Sequence, residues 1–401
     1  MLKWLQRKTY GDPQIWLIVF ILSGIGMLAV YSSTSSMAYK KASGNMEFYL
    51  VKHLIFLMFG IAMMFLTQLI NYKYYSRLSQ LLLYLAVVLL PYTLFFGVEI
   101  NNAPRWLMIP GLGLTFQTSD LAKLAIIMYM ARSLSKRQED IDNFKKSFVP
   151  LFIWVALICL LILPANLSTA AVLFFTCMLV MFIGRVPLKY LSLVFVGILI
   201  AGAVAIFIVS NISDENLKNY GRLATWKGRI ERYIPKNEKN NIDANDGDYQ
   251  MIQAKIAVAK GGIIGVGPGR STQKNFLPNP FSDFIYAIII EEYGFVMAIV
   301  MVLLYLWLLM RCIRIVSKAP KAFGALLAIG LAFALVMQAF INMAVAVSLF
   351  PVTGLALPLV SMGGTSVLFN SIAFGIILSV SRTIEEQESD KLEEAVVSEI
   401  A

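Results

Sequence analysis

Phe284–Ile313 reads FIYAIIIEEYGFVMAIVMVLLYLWLLMRCI, thirty residues of which only Glu291, Glu292 and Arg311 are charged. A helix needs about 20 mostly apolar residues to cross the hydrocarbon layer of a bilayer, and this run exceeds that length. The composition extends the argument to the whole chain. Hydrophobic residues make up 58% and charged residues 14%, and mean hydropathy is +0.72. A water-soluble domain carries roughly 25% charge, so lipid must solvate much of this surface.

Working outward from that run, nine further stretches have the length and character of spans. They are Ile15–Tyr31, Leu50–Ile70, Leu78–Phe96, Thr118–Leu134, Ser147–Leu163, Ser168–Ile183, Tyr190–Ile212, Phe323–Leu349 and Leu355–Val380. The expected fold is an all-α polytopic bundle of about ten transmembrane helices. Residues 1–14 form a cytoplasmic N-terminus, 15–382 the membrane domain and 383–401 an acidic cytoplasmic tail. Ile15–Tyr31 follows Lys3, Arg7 and Lys8 without a clear cleavage site, so it reads as a retained helix. Lys73, Arg77, Arg132, Lys136, Arg137, Lys145, Lys146, Arg185, Lys189, Arg311, Arg314, Lys318 and Lys321 fall in alternate connections. The positive-inside rule then puts both termini in the cytoplasm.

The largest interruption, 213–282, is expected as an extracytoplasmic loop between helices 7 and 8. Within it Arg222, Trp226, Arg229 and Tyr233 recur at helical spacing with Arg232 beside them. An interfacial helix contacting phosphate and a surface helix on anionic lipid fit that pattern equally. Ala259–Arg270 reads AKGGIIGVGPGR, without the spacing of a P-loop or the context of a Rossmann turn. A tight turn at a membrane boundary or beside a diphosphate fits it better than a nucleotide site.

Asp283 stands where an apolar helix begins, and an N-cap is the simpler reading from pattern alone. Glu291 and Glu292 lie about 12 Å further along the axis, where charge must face a cavity, a partner or protons. Asp120 and Lys123, one turn apart, can pair. Gln338 and Asn342 share a helix face suited to interhelical hydrogen bonds. His53 is expected at the membrane interface. As the single histidine it excludes a His-rich metal site. Cys159, Cys177 and Cys312 lie in or at the end of apolar runs and read as core filler.

Several motifs, in order, resemble the SEDS family (shape, elongation, division and sporulation; FtsW, RodA and SpoVE) from about Ile15 to Arg382. They are Arg105-Trp106 with Phe116-Gln117 and Ser119-Asp120-Leu121-Ala122-Lys123; Tyr249-Gln250, Gln253 and Gly261-Gly262 to Gly269; Leu277-Pro278, Asp283-Phe284-Ile285, Glu291-Glu292 and Gly294; and Pro351–Gly354, Leu357-Pro358 and Ser361–Ser366. Gln273-Lys274 is closer to the division branch than to the elongation branch. The chain departs from the family pattern at Pro104, Asp120, Asn166 and Phe281-Ser282.

The resemblance implies a peptidoglycan glycosyltransferase that polymerises lipid II, an undecaprenyl-diphosphate-linked disaccharide peptide, during septal wall synthesis in the inner membrane. It implies Asp283 as general base, and Arg105, Lys123, Arg229 or Arg232 as diphosphate or headgroup contacts. Gln250 and Gln253 become candidates for sugar or peptide binding, with Lys274 a further substrate contact. Asp120, Glu291, Glu292, Gln338 and Ser361 become structural or cavity residues. A divalent cation at the diphosphate is left open. The implied partners are a class B penicillin-binding protein, other divisome proteins and membrane lipids, with no nucleic acid. A lipid II flippase, a non-catalytic scaffold and an elongation polymerase are the alternatives.

Overall fold

The computed structural model describes residues 11–41, 46–99, 104–109, 114–211 and 246–400. Its helices are α1 (Pro13–Lys41), α2 (Met46–Leu69), α3 (Tyr72–Phe96), α4 (Thr118–Lys136), α5 (Val149–Ile162), α6 (Leu167–Ile183), α7 (Leu188–Asn211), α8 (Asp246–Gly261), α9 (Ile285–Lys318), α10 (Ala322–Ala346) and α11 (Thr365–Ile400). Each of the ten expected spans meets one of these helices, and α8 is additional. Among the described residues, seven helical segments are long and apolar enough to cross a membrane on their own. α6 is a shorter apolar helix, and α4 carries Asp120, Lys123, Arg132 and Lys136.

α10 lies at the centre, packed on α9, α4, α6 and α11, while α11 runs beside α2. Ile127, Met64, Leu22, Tyr305 and Phe374 fill the interior. Phe20, Leu28, Ile55, Val88, Leu160, Phe207 and Leu303 point outward. An exterior this apolar is solvated by hydrocarbon rather than water.

At the end of the bundle where α3 stops, a three-stranded antiparallel sheet forms from β1 (Val98–Glu99), β2 (Pro104–Ile109) and β3 (Leu114–Gln117). Trp106 pairs with Gln117 and Ile109 with Leu114. The sheet was not expected. Its strands are too short to show a period of two against the surrounding apolar helices.

α9 does not run through as one rod. Gly294 breaks it with φ +76° and ψ −175°. Phe295 N donates to Gly262 O (2.9 Å) and Val296 N to Ile263 O (3.3 Å), while Val266 N and Gly267 N donate to Glu291 O and Glu292 O (2.9 Å each). These four bonds replace the ones the helix loses, as irregular backbone inside a membrane protein requires. The glycines permit the approach. An added Cβ would lie 2.1 Å from Ile290 O at Gly261, 2.3 Å from Glu292 O at Gly265 and 2.2 Å from Ile263 O at Gly294. The glycine-rich stretch is therefore a docking loop on α9. It reaches residues about 8–16 Å along the helix from its start at Ile285.

Two further expectations change, at Leu355–Val360 and His53. Leu355–Val360 is apolar because it is a buried loop, and α11 starts only at Thr365. Pro358 and the positive φ of Gly354, Leu359 and Gly364 keep it from being helical. A Cβ on Gly26 of α1 would sit 2.8 Å from Val360 Cα, so the loop lies directly against α1. His53 is buried, 1% exposed, because α2 begins seven residues before it. The acidic tail continues α11 as helix, with Glu388 paired to Lys318 at 3.0 Å and Glu386 to Arg382 at 3.4 Å.

At the opposite end, Arg311 Nε donates to Asp12 Oδ2 (2.9 Å) and Trp307 Nε1 to Gln14 Oε1 (3.2 Å), fastening α9 to the start of α1. Cys159, Cys177 and Cys312 are free and buried.

Gly265→Ala should cost at least about 3 kcal/mol, from a left-handed backbone plus a clash with Glu292 O. Gly262→Ala has φ +52° and open space around the added Cβ, and should cost about 1–2 kcal/mol. Unfolding midpoints of the two variants in the same detergent measure the difference.

Candidate functional site

Asp283 sits in the turn that enters α9, at the sheet end of the bundle. The N-cap of α9 is Phe284, with no side-chain cap bond, so the Asp283 carboxylate is not used for capping. Three consecutive carbonyls of this turn are held from outside it. Met362 N donates to Phe281 O (2.9 Å), Ser361 Oγ to Ser282 O (2.7 Å) and Asn342 Nδ2 to Asp283 O (3.0 Å). Asn342 Nδ2 also donates to Leu355 O (2.6 Å), and Ser361 Oγ accepts from Leu357 N (2.8 Å).

Arg105, on β2, donates from Nε to Ala165 O at 2.8 Å, tying the sheet to the turn between α5 and α6. With Thr93, Thr118, Ser119 and Asn166 it lines a cavity there. Asn166 caps α6 through Thr169 N at 3.2 Å. Arg105 and Asp283 both flank Gly354, whose φ is +68°: a Cβ built on it would lie 3.7 Å from both Arg105 Nη1 and Asp283 Oδ2. Asp283 is half-buried. Burial pushes its pKa above the usual carboxylate value, opposed by the hydrogen bond from Ser282 Oγ (3.0 Å) and by the Arg105 charge. Removing a carboxylate from water disfavours its charge, and a neighbouring cation restores part of it. The arrangement is a carboxylate of raised basicity beside a guanidinium.

Lys123 donates to Gln338 Oε1 (2.9 Å) and pairs with Asp120 Oδ1 (2.7 Å), while Gln338 Nε2 donates to Ala356 O (2.8 Å). The Lys123 ammonium is thus engaged inside the bundle. Gln338 and Asn342 make hydrogen bonds between elements as expected, though their carbonyl partners lie in the α10–α11 loop and the Asp283 turn.

Glu291 and Glu292, expected as structural or cavity residues, anchor the segment before Asp283. Glu291 accepts from Ser271 Oγ, Thr272 N (3.0 Å), Thr272 Oγ1 (3.1 Å) and Gln273 N (3.3 Å), with Lys260 Nζ at 4.0 Å. Glu292 accepts from Ser32 Oγ and Ser271 N (3.3 Å). Lys274 is buried, and its ammonium donates to Gly269 O at 2.8 Å within the same loop. Gln250 and Gln253 lie half-buried on α8. Arg222, Trp226, Arg229, Arg232 and Tyr233 lie outside the described residues.

A divalent cation held by the protein itself would need several carboxylate or imidazole ligands. Among the described residues no group of three His, Cys, Asp or Glu side chains converges, and Asp283 has a guanidinium as its neighbour. The described residues alone do not form a resident metal site. Gly354 and Ser282 escaped the sequence reading. A left-handed glycine flanked by two charged groups has no signature in one sequence.

Fold and site together define a multi-pass helical membrane protein with a carboxylate–guanidinium site at one end of the bundle. The FtsW, RodA and SpoVE family model, described as cell cycle protein, matches residues 13–386. Stage V sporulation protein E of Bacillus subtilis is 32% identical over 382 residues, covering 94% of this chain and 98% of that one. The probable peptidoglycan glycosyltransferase FtsW of Trichlorobacter lovleyi is 34% identical over 383 residues, covering 94% of each. Two solved chains share the fold. One, from a peptidoglycan synthase complex, has TM-score 0.72 at 24% identity, covering 93% of this chain and 98% of its own. The other, RodA of Thermus thermophilus, has TM-score 0.63 at 23% identity, covering 93% and 97%. The chain belongs to the FtsW, RodA and SpoVE family.

Ser282→Ala removes a donor to the ionised carboxylate, so the Asp283 pKa should rise further. Infrared titration of its carboxyl band, assigned by difference from Asp283→Asn, should show ionisation at higher pH than in the unmodified protein.

Proposed function

We propose that this protein is a peptidoglycan glycosyltransferase that polymerises lipid II, with Asp283 as the general base. The observation that carries the reading is the Asp283 carboxylate, unused as a helix cap and held beside Arg105. Relatives named as probable peptidoglycan glycosyltransferases, matched over nearly the whole chain, support the reaction class.

A hydroxyl of the acceptor sugar attacks the anomeric carbon of the donor. The new glycosidic bond forms as the bond to the undecaprenyl diphosphate breaks, and the hydroxyl proton passes to Asp283. A positioned base of this kind contributes typically 10²–10⁴-fold, and a carboxylate of raised pKa takes up the proton more readily than an ordinary one. In this reading Arg105 stabilises negative charge on the leaving diphosphate. Arg229, Arg232, Gln250 and Gln253 remain proposed substrate contacts from the loop.

Lys73, Arg77, Arg132, Lys136, Arg185, Lys189, Arg314 and Lys321 lie at or near the helix ends remote from Asp283. That asymmetry supports cytoplasmic termini and an outward-facing site in the cytoplasmic membrane. The division role, at the septum with a class B penicillin-binding protein and other divisome proteins, rests on the relatives' names and on Gln273-Lys274.

The test uses the full chain with its penicillin-binding partner in liposomes and labelled lipid II. Asp283→Asn should lose at least about 10²-fold in glycan polymerisation, with expression and partner binding matched. Equal polymer from both proteins removes Asp283 from the mechanism. No polymer from a well-folded wild-type complex favours transport or scaffolding instead.

A further inference from the structure

Gln338 and Asn342, one turn apart on α10, each direct an amide N–H at the loop that follows their own helix. Gln338 holds Ala356 O and Asn342 holds Leu355 O. Asn342 adds Asp283 O, so a single amide group joins the loop to the turn that carries the carboxylate. Both its N–H bonds are committed. The residue is 1% exposed, and its Oδ1 has no hydrogen-bond partner among the described residues.

We propose that the site end of α10 is a positioning element for Asp283, with Asn342 as the positioning residue and Ser361 as its counterpart in the loop. The inference deepens the glycosyltransferase reading and rests on Asp283 being the base.

Backbone direction carries the argument. A side chain leaves its Cα in a direction set by its own peptide planes, and here the planes before and after Asp283 are both pinned. Ser361 Oγ holds Ser282 O, Asn342 holds Asp283 O, and Met362 N holds Phe281 O one residue earlier. None of the three donors belongs to α9, so the helix that Asp283 precedes does not set its orientation. The other face of the site is fixed by the same amide. Leu355, whose carbonyl Asn342 holds, follows Gly354, where an added Cβ would lie 3.7 Å from both Arg105 Nη1 and Asp283 Oδ2. Moving Asn342 would displace the carboxylate and the surface it rests against together. A misplacement of about 1 Å at a reacting group can cost on the order of 10²-fold in rate.

The residue touches neither the reacting atoms nor the carboxylate, so its signature differs from that of the base. Asn342→Ala and Ser361→Ala are measured beside wild type and Asp283→Asn, in the full chain with its penicillin-binding partner and lipid II. Rates are expressed per folded, partner-bound molecule. For Asn342→Ala we expect kcat to fall about 10–100-fold, with KM for lipid II within about 3-fold. The acidic limb of the kcat profile should move to lower pH, because a loosened turn admits water to Asp283 and eases its ionisation. Ser361→Ala should shift both in the same direction by less.

Wild-type kcat and an unmoved acidic limb in Asn342→Ala, with Asp283→Asn inactive, overturn the positioning role and leave the base reading intact. An active Asp283→Asn overturns the base reading itself. If Asn342→Ala yields no folded protein, Ser361→Ala, which removes one oxygen, decides by the same two readouts.

Discussion

Hydrocarbon supplies no hydrogen-bond partners, so every backbone group that leaves regular structure inside the bundle must find one within the chain. The break in α9 at Gly294 meets this constraint with four crossed bonds to the glycine loop. Much else follows from them. They place the loop alongside the helix, and the loop brings Ser271, Thr272 and Gln273 onto Glu291 and Glu292. Two buried carboxylates thus meet hydroxyl and amide donors instead of lipid. The chain then leaves this anchor ten residues before Asp283.

Two kinds of element converge on the site. Arg105 arrives on a strand stabilised by pairing with β3 and by its bond to Ala165 O, outside the helix bundle proper. Asp283 arrives on a turn held by α10 and the loop after it. Gly354 lies between them: its φ is positive, and an added Cβ would come 3.7 Å from both groups. A guanidinium and a carboxylate on independently fixed elements can keep their separation while substrate enters, which is the requirement for electrostatic preorganisation.

Much of this was legible in the sequence because hydrocarbon imposes long apolar runs. Phe284–Ile313 announced a helix, and the overlap of each apolar run with a helix reflects the same constraint. Leu355–Val360 misled for the same reason, since an apolar loop buried against α1 has the composition of a span. The roles of Glu291 and Glu292 were only half legible. Their depth implied partners, but the partners lie some 20 residues earlier in a loop whose glycines resembled a phosphate cradle. Their close approach to α9 depends on three-dimensional contact that no local spacing encodes. Asn342 was recognised as a hydrogen-bonding residue, whereas its two carbonyl acceptors are separated by 59 and 13 residues and invisible in one chain.

The anchoring of Glu291 and Glu292 also bears on how the chain enters a membrane during synthesis. A carboxylate at the centre of an inserting helix costs about 2.5–3.5 kcal/mol on insertion scales, against gains of about 0.3–0.6 for each Ile, Leu, Val or Phe. α9 has enough aliphatic residues to cross despite two such charges. Lys260, Ser271 and Thr272 are synthesised before the glutamates, so the ribosome delivers the donors first. The donors for both carboxylates are therefore already part of the chain when α9 is made.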